Sequence, residues 1–170
     1  MNNTSPWIRK LVMGGLCIAL VLATTLIHLN VPGTNGGYIH PGDAMIYASA
    51  YLMGGPMAAL AGGIGSLFAD LILGAAVYAP ASLIIKALMG LTAGVIMFGN
   101  RTSLARRVLG CVLASLIMVA GYAAFEGLFF GWGYALSAIP MNLVQAVGGV
   151  AIGLPLIYLL SRVPRFRQLP

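Results

Sequence analysis

Apolar positions fall in long blocks along the chain, separated by short gaps that carry Gly, Pro or Arg. The blocks cover residues 11–28, 44–53, 57–74, 81–98, 104–125 and 136–160. Most reach the ~18–20 residues that a helix needs to cross the roughly 30 Å hydrocarbon core of a bilayer. None shows the alternating polarity of a membrane β-barrel strand. Backbone groups in lipid must find partners within their own segment, so each block predicts a helix. The block at 44–53 is short for a span and reads as tilted or partly interfacial. The pattern predicts an all-α integral membrane protein, a six-transmembrane-helix bundle forming a single membrane domain over 1–170.

Composition supports this reading. The chain is 60% hydrophobic and 7% charged, against about 25% charged in ordinary soluble domains. Eight of the nine basic residues occupy three places: Arg9 and Lys10 before the first block, Arg101, Arg106 and Arg107 between the fourth and fifth, and Arg162, Arg165 and Arg167 after the sixth. Six spans put all three on one side, and the positive-inside rule makes that side the cytoplasm, with both termini there. The net charge of +6 then needs no nucleic-acid partner. The run after Arg9 and Lys10 reads as a retained span, because no cleavage site precedes a soluble region. The expected outer loops, 29–43, 75–80 and 127–134, hold no Lys or Arg. Phe129, Phe130, Trp132 and Tyr134 read as an aromatic belt at the interface.

Cys17 and Cys111 lie inside apolar blocks without metal-ligand spacing and read as packing residues. No metal site is expected. Small residues recur four apart at Gly15, Ala19 and Ala23, at Gly90 and Gly94, and at Gly149 and Gly153, which lets helices approach closely.

The remaining charges are Asp43, Asp70, Lys86 and Glu126. Ionisable groups at membrane depth are paired or functional. Asp70 and Lys86 stand eight residues to either side of Tyr78, so an antiparallel hairpin predicts an ion pair between them; a ligand contact by Lys86 is the alternative. Gly42-Asp43 before an apolar block predicts an N-cap at Asp43. His40 beside it could cap as well, or meet a ligand arriving from outside. Tyr122 and Glu126 share a helix face, as do Asn142 and Gln145. Convergence of these four would suit a small, flat, polar heterocycle; hydrogen bonding between helices is the alternative. Enzyme signatures are lacking. There is no GxxxxGK[ST] phosphate loop. Ser66 in GGIGSLFAD has no glycine after it and no histidine partner at depth. The chain is not expected to be an enzyme.

The run GGYIHPGDAMIYASAYLMGGPMAALAGGIGSLFADLILGAAVYAPASLIIKALMG, residues 36–90, resembles the substrate-binding S components of energy-coupling factor (ECF) vitamin transporters. More narrowly it is similar to the branch containing hydroxymethylpyrimidine and vitamin B6 S components. IHPGD, the GGP turn, GGIGSLFAD and YAP followed by IIKALMG carry the likeness, and GYAAFEG and IPMNLVQ at 121–127 and 139–145 extend it over nearly the whole chain. The resemblance implies a six-helix bundle in a prokaryotic plasma membrane that binds one vitamin from outside and works with a transmembrane coupling subunit and two cytoplasmic ATPases. It implies that Ala19 and Ala23, matching an AxxxA motif, dock the coupling subunit. It places His40, Lys86, Tyr122, Glu126, Asn142 and Gln145 in the vitamin pocket. The bound vitamin is then the transported substrate and no cofactor is expected. The reading settles first on a vitamin B6 vitamer such as pyridoxal, next on hydroxymethylpyrimidine, the thiamin precursor, or riboflavin. Outside that class stands a non-transporting membrane scaffold.

Overall fold

The computed structural model describes residues 5–30, 38–98 and 103–163. Among them are six α-helices: α1 Pro6–Leu26, α2 Gly42–Met53, α3 Gly55–Ile72, α4 Ala79–Met97, α5 Leu104–Phe129 and α6 Trp132–Arg162. Five are long and apolar enough to cross a membrane. The exception is α2, whose 12 residues rise only about 18 Å. Between α1 and α2 a two-residue antiparallel ladder pairs β1, Leu29–Asn30, with β2, Tyr38–Ile39. Arg101, Arg165 and Arg167 lie outside the described residues, as do residues 31–37 of the segment expected as the first outer loop.

Capping explains why several helices outrun their apolar blocks. Ser5 accepts from Ile8 N–H at 3.3 Å and Pro6 occupies the first turn, so α1 starts before Arg9 and Lys10. Ser103 accepts from Arg106 N–H in the same way at the start of α5. The segment 127–134, expected as an outer loop, is mostly helical. Gly131 makes the reversal at φ 94°, a conformation that only glycine adopts freely, and the aromatic residues around it continue α5 and open α6. Gly54, at φ 79°, reverses the chain between α2 and α3 in the same manner.

Close contacts fix the directions of the helices. Gly94 lies on the Gly55 backbone and Gly90 on that of Ala58, so α3 and α4 run antiparallel with little between them. Gly121 meets Ile85, while Gly110 lies by Ala93 and Met97, so α5 reverses again. Gly149 and Gly153 receive Asp43 and Tyr47, which makes α6 parallel to α2. Gly14 meets Met57 and Gly65 meets Val21, so α1 runs with α3. Thus α1, α3 and α5 point one way and α2, α4 and α6 the other. Arg9, Lys10, Arg106, Arg107 and Arg162 stand at one end of the bundle; Asp43, Asp70 and Glu126 stand towards the other. Tyr47, Met89, Met97, Met118 and Ile157 fill the core between, with Cys17 and Cys111 buried among them.

The glycine seam gives a direct test. A Cβ at Gly94 would collide with backbone, which cannot swing aside as a side chain can, whereas nothing lies within 4 Å of one at Gly15. Gly94→Val should cost about 1–3 kcal/mol or more of stability and Gly15→Val no more than about 0.5 kcal/mol. Thermal unfolding in detergent checks this, and equal losses would contradict the packing described.

Candidate functional site

The site is built on a buried ion pair. Asp43, in the first turn of α2, has no exposed surface, and its Oδ1 takes Lys86 Nζ from α4 at 2.5 Å. Lys86 Nζ also reaches Met118 Sδ at 3.3 Å and lies 5.6 Å from the centre of the Tyr122 ring. The expected Asp70–Lys86 pair is therefore not formed: Lys86 belongs to Asp43. The reason is that the turn is lopsided about Tyr78. Asp70 stands two residues from the end of α3 and Lys86 seven residues into α4. At 1.5 Å per residue they differ in depth by about 7–8 Å. The N-cap expected of Asp43 is corrected too. The cap position is Pro41, with no side-chain cap, and Asp43 turns inward to Lys86.

His40 and Gln145 tie the segment between α1 and α2 to α6. Gln145 Oε1 accepts from His40 N–H at 2.9 Å, and Nε2 donates to His40 O and to Asp43 Oδ2, both at 2.9 Å. Both amide hydrogens are thereby used, so Gln145 positions the loop and Asp43 and has none left to donate to a ligand. His40 Nδ1 accepts from Gly42 N–H at 3.1 Å, so it is the histidine that meets the open end of α2. Removal of this ring from water lowers its pKa to about 4, against the pull of Asp43, which keeps Nδ1 unprotonated and able to accept at neutral pH. Gln145→Ala would strand His40 N–H and one carboxylate oxygen. The expected result is a loss of about 1–3 kcal/mol and faster amide exchange at residues 38–40, read by hydrogen–deuterium exchange; unchanged exchange there would contradict the tie.

Next to this network lies a cavity of about 100 Å³. Three helical stripes of three- to four-residue spacing line it: Tyr78, Ser82 and Lys86; Met118, Tyr122 and Glu126; Tyr134, Ala138, Asn142 and Gln145. His40 and Asp70 complete the wall with Ala75 and Met141. All six residues expected in a pocket, His40, Lys86, Tyr122, Glu126, Asn142 and Gln145, thus border the same space. Polar groups on the wall are mostly engaged with one another. Tyr122 and Ser82 share a hydrogen bond of 2.7 Å, and Tyr78 OH donates to Glu126 Oε1 at 3.3 Å while lying 3.2 Å from Tyr134 OH. Among the buried atoms here that have no hydrogen-bond partner are Glu126 Oε2, an acceptor, and Asn142 Nδ2, a donor. Around Tyr78 the rings of Phe125 and Phe130 stand at 5.4 and 5.7 Å between centres.

Tyr78, Ser82, Met118 and Tyr134 were not singled out as site residues from the sequence. The signal was present: Ser82 and Tyr78 extend the Lys86 stripe by one and two four-residue steps, and Met118 extends that of Tyr122 by one. Tyr134 looks from the sequence like part of an aromatic belt, because 127–134 carries no sign of continuing helix. Ala19 and Ala23 lie elsewhere, exposed on the outer face of α1 in line with Gly15, while Gly14, Cys17, Val21 and Thr25 turn inward.

An apolar bundle with a small, polar-studded cavity at the end opposite its basic residues defines a multi-pass membrane protein built to hold a small molecule. The chain belongs to the family of S components of ECF-type transporters: the family described as "ECF-type riboflavin transporter, S component" matches residues 6–162. It is 31% identical over 163 residues to the thiamine precursor transporter HmpT of Lactococcus lactis subsp. cremoris (strain MG1363), covering 95% of this chain and 92% of the relative. It is 36% identical over 144 residues to an uncharacterized protein in the gap 3' region of Pyrococcus woesei, covering 85% of this chain and 95% of that one. Proteins of this family work with a small-molecule vitamin substrate and membrane-embedded ECF machinery.

Proposed function

We propose that this S component captures a single-ring pyrimidine or pyridine vitamin or precursor in the cavity, with hydroxymethylpyrimidine ahead of a vitamin B6 vitamer. The observation that carries the reading is that Glu126 Oε2 and Asn142 Nδ2, a buried acceptor and a buried donor bordering the same cavity, have no hydrogen-bond partner. An aminopyrimidine edge offers an N–H donor beside a ring-nitrogen acceptor, the complement of that pair. The thiamine precursor named for the Lactococcus relative supports the pyrimidine. Riboflavin, with three fused rings, is disfavoured by a cavity of about 100 Å³, well under the ~300–1,000 Å³ of sites for drug-sized ligands. Glu126 accepts from the amine, Asn142 donates to the ring, and Tyr78, Tyr122 and Tyr134 supply ring faces and edges. Calorimetry on the purified protein should give binding for hydroxymethylpyrimidine, weaker binding for pyridoxine and pyridoxal, and none for riboflavin. Tight riboflavin binding would overturn the choice, and no binding of any would favour the scaffold.

In this reading the protein lies in a prokaryotic plasma membrane with its basic end and both termini in the cytoplasm. α2 serves as the sixth crossing, and the cavity faces outward. Delivery needs a coupling subunit and two ATPases, and the exposed Gly15, Ala19 and Ala23 face of α1 is the docking surface. Replacing Ala19 and Ala23 with Leu should leave the dissociation constant for hydroxymethylpyrimidine unchanged and abolish uptake into cells. Persisting uptake would remove α1 as the coupling face.

A further inference from the structure

We propose, resting on the reading above, that the cavity rejects anions: it takes the free heterocycle and excludes the phosphate monoester of the same ring. Asp70 and Glu126 border the cavity at 4% and 5% exposure. Glu126 Oε2 has no hydrogen-bond partner and Oε1 has only the Tyr78 hydroxyl. Lys86 is the one lysine or arginine on the described wall, and Asp43 neutralises it at 2.5 Å. The other described Lys and Arg side chains stand at the far end of the bundle. The N-terminus of α2, whose partial charge would otherwise suit an anion, already carries Asp43 in its first turn and spends Gly42 N–H on His40 Nδ1. Phosphate sites are built from Arg, Lys or free backbone N–H groups. This wall sets the carboxyl groups of Asp70 and Glu126 there instead.

The consequence is a selectivity filter based on charge. A phosphate brought within several ångströms of two buried carboxylates is repelled strongly enough to weaken binding by about 100-fold or more. A phosphatase acting outside would have to release the cargo from any phosphate ester before capture.

Three ligands on the same ring test this by calorimetry: hydroxymethylpyrimidine, its phosphate monoester, and the uncharged acetate ester on the same hydroxyl. The phosphate should bind at least about 100-fold more weakly than the alcohol, and the acetate at least about tenfold more tightly than the phosphate. Asp70→Asn should shrink the alcohol-to-phosphate ratio by about tenfold. Equal binding of phosphate and alcohol overturns the proposal, and so does equal rejection of acetate and phosphate, which would make exclusion a matter of size. Failure of all three to bind removes the reading on which the proposal rests, and the proposal with it.

Discussion

Lys86→Met should lower stability by about 3–5 kcal/mol, because it leaves the Asp43 carboxylate buried without a counter-charge. Asp43 has no exposed surface, and its remaining partner is the neutral Gln145 amide at 2.9 Å. For a chain of this length such a loss corresponds to a fall in Tm of roughly 6–20 °C. The double variant Lys86→Met, Asp43→Asn removes both charges while keeping an acceptor for Gln145, so it should recover most of the loss. The double variant should also still bind hydroxymethylpyrimidine, since the lysine is committed to Asp43 rather than to the ligand. Thermal unfolding of the three variants in one detergent checks the first part and calorimetry the second. A stable Lys86→Met single variant would mean that the pair does not hold α2 to α4. Loss of binding in a stable double variant would return Lys86 to the ligand-contact role.

Glu126→Gln carries the largest expected effect on binding. The carboxylate offers a charge-assisted acceptor in a site with little water, and such bonds contribute about 1.5–3 kcal/mol. The dissociation constant for hydroxymethylpyrimidine should rise by roughly 10–150-fold, with Tm little changed because Oε2 has no partner to lose. Asn142→Ala should weaken binding by a smaller factor, about 2–12-fold, as expected for a neutral hydrogen bond. Parental affinity in both variants would show that the pocket lies elsewhere.

Much of this site was legible because the chain is so apolar. With three acidic residues in 170, each carboxylate at membrane depth had to be paired or functional. Helical spacing alone put Glu126 with Tyr122 and Asn142 with Gln145. The partner of Lys86 was not legible. Spacing along a hairpin gives depth only if the turn is symmetric, and here residues 73–78 are all spent before α4 begins. The true partner, Asp43, comes from a helix that packs against α4 without adjoining it in sequence. Gln145 was placed on the right wall but its role was not foreseen. Its bonds run to the backbone of His40, 105 residues away, and backbone partners leave no trace in side-chain pattern. The aromatic stretch misled for another reason: one glycine at positive φ suffices to reverse the chain, so no loop was needed.

A crystal structure of the protein with hydroxymethylpyrimidine tests the central claim most directly. The account places the ring in the cavity beside Tyr78 and Tyr122, its polar edge within hydrogen-bond distance of Glu126 Oε2 and Asn142 Nδ2. Ligand density on the apolar groove between α5 and α6 lined by Val112, Leu116 and Val147, with the cavity left as it is, would contradict it.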